Sequence, residues 1–500
     1  IMKKILIIDF GSQYTQLIAK SIRNINIYCQ IVTAEKAIDA AKDATGVILS
    51  GSDASVNDAN HPDIDLETIK IPILGICYGA QLIAYKYGAR IDSTNKREYG
   101  KKILKTPDGY NITSVWMSHS DTICDLQPII QPLMYFTDNI LAAFRISGTD
   151  IYGIQFHPEV TNTINGHKLL EHFINTTCRM TPNWFPKEIG YSIMSTIDTI
   201  INMPENINKK IIMEISGGIN STLTAILINN IAKERLIPIF INNGLMRKNE
   251  CDEVMREYSA MGLDVVYADR SEIFIEALHN VSDPEQKRKI IEKMFIDTFT
   301  EQCHIMNLRE DNCFLCQSTI YHDIIESDEI NAHHNVGGLH EQLEFQLLEP
   351  IKYLFKDDVR KLAEVYNVRP QLIVRHPYPA PGLAIRIIGT ITPAKIAILQ
   401  EADHIYINYL RDNGLYEHIW QAGAILLPIK SVGVMEDSRT YRYVLALRAV
   451  TSVDGMTAGC YKFNMDDLTN ISNKIINEVP GINRVVYDIS SNPPATLEWE

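Results

Sequence analysis

The run Ile71-Pro-Ile-Leu-Gly-Ile-Cys-Tyr-Gly79 leaves the backbone little choice. A short apolar strand (71–76) that breaks at Gly75-x-Cys77-x-Gly79 and enters the helical stretch 80–87 predicts a nucleophile elbow. Such turns sit at the C-terminal ends of strands in α/β sheets. The flanking glycines let the backbone pass close by, and the tight turn lifts the thiol clear of the sheet. At a helix N-terminus the dipole favours thiolate over thiol. His157-Pro158-Glu159 follows a second predicted strand (151–156), so His157 and Glu159 project from one strand end. A thiol, an imidazole and an orienting carboxylate are the groups that make and break a thioester. The alternative is a buried, inert cysteine and an unrelated histidine, and it leaves the two strand ends unexplained.

The chain has 500 residues, enough for two to four domains. Hydrophobic content of 46% and charged content of 22% are those of a globular protein. A net charge of −14 offers no broad basic field to track phosphates, which argues against general nucleic-acid binding. No apolar run approaches the ~18 residues of a membrane span. The lysines at positions 3 and 4 precede too short an apolar run for a signal peptide. Nine scattered cysteines make no disulfide framework, so a reducing cytoplasm is expected.

Residues 2–178 alternate buried strands (4–10, 46–50) with helical periodicity at Tyr14, Leu17, Ile18, Ile22 and Ile25, an α/β pattern. Two prolines in Met180-Thr-Pro-Asn-Trp-Phe-Pro186 punctuate the chain before a helix at about 189–203. A second α/β unit opens with strand 210–215, the turn Ser216-Gly217-Gly218-Ile219-Asn220-Ser221-Thr222 and a helix. Small residues between strand and helix expose backbone N–H groups to an anion. No Lys precedes Ser221, so this is not a Walker A loop. The next strand (237–241) ends in Asn242-Asn243-Gly244. Beyond about 380, strands at 424–428, 431–434 and 441–449, a helix at 465–477 and a strand at 484–489 read as α+β.

These motifs carry a family. The chain resembles the GMP synthetases, glutamine-hydrolysing amidotransferases of purine biosynthesis, over essentially its whole length. The resemblance rests on Asp9-Phe-Gly-Ser-Gln-Tyr14, Gly75-Ile-Cys-Tyr-Gly79, Gln155-Phe-His-Pro-Glu159 and Ser216-Gly-Gly218. It continues through Asn243-Gly-Leu245, Asp283-Pro-Glu285 with Lys287-Arg-Lys-Ile-Ile291, His333-His-Asn-Val-Gly-Gly338, Arg375-His-Pro377, Pro493-Pro-Ala-Thr496 and Glu498-Trp-Glu500. It implies an α/β class I glutaminase domain (2–180), a doubly wound PP-loop ATP pyrophosphatase domain of the adenine nucleotide α-hydrolase-like type (189–380), and a small α+β domain for dimerisation and acceptor binding (381–500). It also implies the reaction: ATP with Mg²⁺ adenylates xanthosine 5′-monophosphate (XMP), and ammonia from glutamine displaces AMP to give GMP.

The resemblance assigns roles by position. Cys77, His157 and Glu159 cut glutamine, with Tyr78 and Ser52 supplying oxyanion N–H groups, and His119 stands beside the triad. Ser216, Gly217, Gly218, Asn220, Ser221, Thr222 and Asn242 would bind ATP, with Asn220 a candidate Mg²⁺ ligand. Arg375, His376, Pro377, Gln421, Lys430, Asn492, Thr496 and Glu498 would face the acceptor. Lys287, Arg288, His333 and His334 would belong to a lid near the triphosphate, although Lys287-Arg288-Lys289 reads equally as a solvated helix face. A homodimer through the last domain is implied.

Several positions depart from the family pattern. Gly51-Ser52-Asp53 stands where the family has Gly-Gly-Pro, and Asn220 and Asn242 stand where it has aspartates. Ser318, Ala380 and Glu436 replace glycines, His322 replaces a proline, and Asn331 and Asn492 replace lysines. An amide in place of a carboxylate weakens a Mg²⁺ site without abolishing it. Three readings therefore stay open: a GMP-forming enzyme, a paralogue aminating another acceptor, and a synthetase-deficient nucleotide-binding regulator. Cys313-x-x-Cys316 near His322 has the spacing of half a zinc site.

Overall fold

The computed structural model describes residues 2–105, 114–324, 345–435, 438–452, 458–492 and 494–500. It divides into two compact units, 1–189 and 190–500, the boundary falling inside helix Pro186–Ile201.

The first unit is built on a nine-stranded mixed sheet of order β2-β1-β3-β4-β9-β8-β7-β5-β6. Its parallel half comprises β1 (Lys4–Asp9), β2 (Cys29–Thr33), β3 (Ala44–Leu49), β4 (Ile73–Ile76) and β9 (Ile151–Ile154). All of these but the edge strand β2 are apolar runs, as burial on both faces requires. The other half is antiparallel: β5 (Arg90–Lys105), β6 (Ser114–Cys124), β7 (Ile130–Phe136) and β8 (Leu141–Ile146). The sequence pattern missed this half. Within it β7 has only its end residues, Ile130 and Phe136, buried, so no apolar run marks it, whereas β8 is buried almost throughout.

The second unit holds two sheets. The first is parallel, of order β12-β11-β10-β13-β14, with β10 (Lys210–Glu214) central, β11 (Leu236–Asn242), β12 (Val266–Asp269), β13 (Cys313–Cys316) and β14 (Gln346–Leu348). The second combines β15 (Gln421–Met435), β16 (Ser438–Thr451), β17 (Gly459–Cys460) and β18 (Ile482–Tyr487), the last parallel to β16. One apolar core runs through both, from Ile212 and Phe299 to Leu445 and Ile475. The two strands expected at 424–428 and 431–434 are one strand. Pro428 sits where the β15–β16 register shifts, between Leu426 and Lys430, the place a proline can occupy inside a ladder.

Candidate functional site

Cys77 stands between β4 and helix Tyr78–Lys86 with φ 53° and ψ −109°, a backbone state that β-carbon sterics disfavour. Close packing enforces it. A Cβ on Gly75 would lie 2.5 Å from the carbonyl carbon of Gly79, and one on Gly79 would lie 2.6 Å from Leu49. The Cys77 N–H is fixed by the carbonyl of Ile154 at 2.8 Å, and Gly79 N–H donates to Ser50 at 3.0 Å. Tyr78 N–H opens the helix, where no carbonyl of the helix can take it.

His157 pairs through backbone with Trp116 of β6 rather than within β9, which ends at Ile154. Its Nδ1 meets the Glu159 carboxylate at 2.7 Å, and both side chains are buried. His157 Nε2 is buried without a hydrogen-bond partner, and the ring stands edge-on to Tyr14 at 4.8 Å. Burial works to lower the His157 pKa, but the charges of Glu159 and Cys77 outweigh it and raise it well above the usual imidazole value. Since Glu159 takes Nδ1, Nε2 is the ring nitrogen left for Cys77, whose charge acts on the imidazole. Thr163 donates to the His157 carbonyl and accepts from Trp116 N–H, fixing the loop that carries the pair.

Gly51 borders this site: a Cβ there would lie 3.5 Å from His157 Cε1. Neither Gly51 nor Ser52 takes a positive φ, so serine at 52 is unstrained, and its hydroxyl accepts from Ala54 N–H at 3.2 Å. Asp9 organises the neighbouring loop, accepting from Gly11 N–H (3.0 Å) and Thr15 Oγ1 (2.6 Å). The side chain of His119, on β6, lies outside the described residues.

In the second unit, the turn 216–222 joins β10 to helix Ile219–Ala232 and points its first N–H groups out of the sheet's C-terminal edge. Gly217 (φ 75°) donates to Tyr258 at 2.8 Å, and its carbonyl accepts from Arg375 at 2.6 Å. Ser221 Oγ accepts from Ser216 N–H at 3.3 Å, and Thr222 is fully buried, donating to Gly218 O at 2.8 Å. Thr222 thus shapes the turn instead of facing it. Asn220 Oδ1 is buried with no partner. Asn242 is committed on both sides, its Oδ1 accepting from Gly244 N–H and its Nδ2 donating to Tyr267, each at 2.9 Å.

Several expected acceptor residues are occupied otherwise. Arg375 buttresses the turn and pairs with Glu250. His376 is buried and stacked on Tyr416 at 3.7 Å. Its Nδ1 accepts from Ala422 N–H (3.2 Å), so Nε2 carries the proton and donates to Tyr416 O (2.9 Å). Burial pushes its pKa down to about 4, and neither ring nitrogen is left for a ligand. Gln421 donates to the Pro377 carbonyl (3.2 Å) and to Glu498 (2.9 Å). Glu498 takes Arg386 through two bonds of 3.0 and 2.7 Å. Thr496 Oγ1 donates to the Glu498 carbonyl at 2.5 Å. Lys430 is exposed, its Nζ 4.9 Å from the Tyr443 ring centre, and Asn492 pairs through backbone with Ala458.

Lys289 is exposed, as a solvated face requires, but Lys287 corrects both expectations. It is fully buried, neither on a solvated face nor open to a phosphate. Ser318 follows β13, and Ala380 is exposed in the loop before the turn 382–386. His333, His334, Asn331 and Glu436 lie outside the described residues. Cys313 and Cys316 are both buried on β13, where residues three apart face opposite ways, so they cannot converge on one metal ion. Sequence reasoning missed Arg386 and Arg448. The signal was a lone arginine inside an apolar run, at 383–388 and at 444–450, which must be paired once buried.

Residues 6–176 match the family described as glutamine amidotransferase class-I, and residues 408–499 match the GMP synthase C-terminal domain. The chain is 46% identical to the glutamine-hydrolysing GMP synthase of Cytophaga hutchinsonii over 100% of both chains. It is 46% identical to that of Christiangramia forsetii over 99% of both, and 43% identical to that of Thermosipho melanesiensis over 100% of both. With a buried Cys–His–Glu constellation on the amidotransferase elbow and full-length identity to these proteins, the chain belongs to the glutamine-hydrolysing GMP synthase family.

Proposed function

We propose that the chain forms GMP by cutting glutamine at Cys77 and delivering the ammonia to adenylated XMP in the second unit. The observation that carries the first half is the His157–Glu159 pair beside Cys77, with Nε2 left unpartnered. Cys77 Sγ attacks the glutamine carboxamide carbon. The N–H groups of Tyr78 and of the Gly51-Ser52 turn hold the oxyanion, and His157 gives its Nε2 proton to the departing ammonia. His157 then takes a proton from the water that cleaves the thioester, releasing glutamate. Glu159 holds the imidazole through Nδ1 in both steps.

In the second unit, ATP rests at the start of helix Ile219–Ala232, whose first N–H groups suit an anion, since those of Ser216 and Gly217 are already taken within the turn. The XMP oxygen attacks the α-phosphorus, pyrophosphate leaves, and ammonia then displaces AMP. The donors near the turn fit Mg²⁺: Asn220 Oδ1 is a hard oxygen with no other partner, and Mg²⁺ needs only one or two protein oxygens beside phosphates and water. When bound, Mg²⁺ neutralises triphosphate charge. Asn242 contributes turn geometry instead of a ligand. The acceptor lies against Gln421 and the strap around Glu498; His376 and Arg375 hold its walls. The last part of the chain, from about 381, is the dimerisation segment, because Val432, Val434 and Tyr441 expose 58%, 73% and 67% of their surface on the β15–β16 hairpin. All nine cysteines are free, which fits the cytoplasm, and no helix among the described residues is long and apolar enough to cross a membrane.

A steady-state assay with XMP, ATP, Mg²⁺ and glutamine tests the reading. GMP and glutamate in equal amounts support it, and glutamate release without GMP rejects it.

A further inference from the structure

We propose that Glu500 is a positioning residue for amination: its carboxylate holds Lys287 and the start of helix Pro284–Ile305 against the turn 382–389, beside the nucleotide-binding edge of the sheet. This rests on the amination reading of the second unit.

Lys287 Nζ has three donors, and all are used. They reach Ala384 O at 3.1 Å, Ile387 O at 2.8 Å and the Glu500 carboxylate. The other oxygen of Glu500 accepts from Gly389 N–H at 3.1 Å, and Arg288 donates to the Glu500 main-chain oxygen. The ammonium is fully buried, and a buried charge without a counter-charge is strongly disfavoured. Glu500 is the carboxylate in contact with it.

The residues just before Glu500 are tied in the same way. Glu498 grips Arg386, and Arg448 of β16 donates to the carbonyls of Leu497 (2.9 Å) and Thr496 (2.8 Å). Trp499 Nε1 donates to Asp488 at 3.0 Å. The segment 496–500 therefore joins the helix at 284–305, the turn 382–389 and β16. That turn bears directly on the crevice: Leu383 N–H donates to Leu245 O at 2.8 Å, and Tyr378 donates to the same oxygen at 3.1 Å. Leu245 follows β11, the strand next to β10, which ends in the 216–222 turn.

The test compares Glu500→Gln with the double variant Lys287→Met/Glu500→Gln in the full chain. The single change keeps shape and removes the charge; the double change removes both charges together, which a buried pair tolerates far better. Two readouts are followed: GMP formation driven by ammonium chloride, and hydrogen exchange of residues 284–291 by mass spectrometry, with glutamate release as the folding control. Glu500→Gln is expected to cut amination at least tenfold and to speed exchange over 284–291, with glutamate release unchanged. The double variant is expected to regain much of both. Wild-type amination and exchange in Glu500→Gln would overturn the proposal, as would a double variant no better than the single one. Recovery of exchange protection without amination would also overturn it, because Lys287 would then act on substrate itself. A wild type that makes no GMP rejects the amination reading instead, and the exchange comparison still decides whether Glu500 ties the helix.

Discussion

Cys77 is held at a positive φ by packing on both sides of the elbow, so its Cα–Cβ bond has one direction to point. Changing Cys77 to alanine is expected to lower glutamine-driven GMP formation by roughly 10⁴-fold or more. Ammonia-driven formation should persist, since the second unit keeps its own site. The same change should lower the His157 pKa, because it removes one of the charges that raise it; a ¹⁵N-imidazole NMR titration of wild type and variant reads this directly. A second titrating group sits at the end of β10, where burial pushes the Glu214 carboxyl up to about 7. A carboxyl whose pKa is raised on folding stabilises the fold below its unfolded value of about 4.3. That contribution is lost as pH rises toward 7. Glu214→Gln should therefore match wild type near pH 4 and be more stable at pH 8, by roughly 3–4 kcal/mol in urea unfolding of the second unit.

The turn at 216–222 and the end of β11 carry the two amides that replace family aspartates, and their surroundings differ. Asn220 Oδ1 is unpartnered, whereas both polar atoms of Asn242 are bonded within its turn. Asn220→Asp should lower the Mg²⁺ concentration for half-maximal amination by about tenfold, the equivalent of about 1.4 kcal/mol. Asn242→Asp should change it little. Titrating Mg²⁺ at saturating ATP separates the two. The elbow, the 216–222 turn and the strands β1, β3, β4, β9, β10 and β11 were legible because short apolar runs meet glycine-rich turns there, whereas the parallel strands β2, β12, β13 and β14 were not read. The antiparallel strand β7 was not, since it buries only its two end residues, and β8 was missed although it is short, apolar and buried. The occupied state of His376, Arg375 and Lys287 was also hidden. A motif names a residue's neighbourhood, but only packing shows which of its donors are already taken.

On the proposed reading the two units divide the chemistry, one releasing nitrogen and the other capturing it, while family membership follows from identity over the full length. Association belongs to this level too. The exposed apolar residues of the β15–β16 hairpin would cost less if paired with a second copy. Val434→Asp combined with Tyr441→Asp should convert a dimer to a monomer in sedimentation velocity, with glutamate release from the first unit intact. A dimer that survives both changes would place the interface elsewhere.

The most direct measurement follows the nitrogen itself. Wild type is given XMP, ATP, Mg²⁺ and glutamine labelled with ¹⁵N at the amide, and the GMP product is analysed by mass spectrometry. The label should appear in the 2-amino group of GMP, one per glutamate released, and it should vanish in Cys77→Ala supplied with unlabelled ammonia. Glutamate release with no labelled GMP would contradict the account.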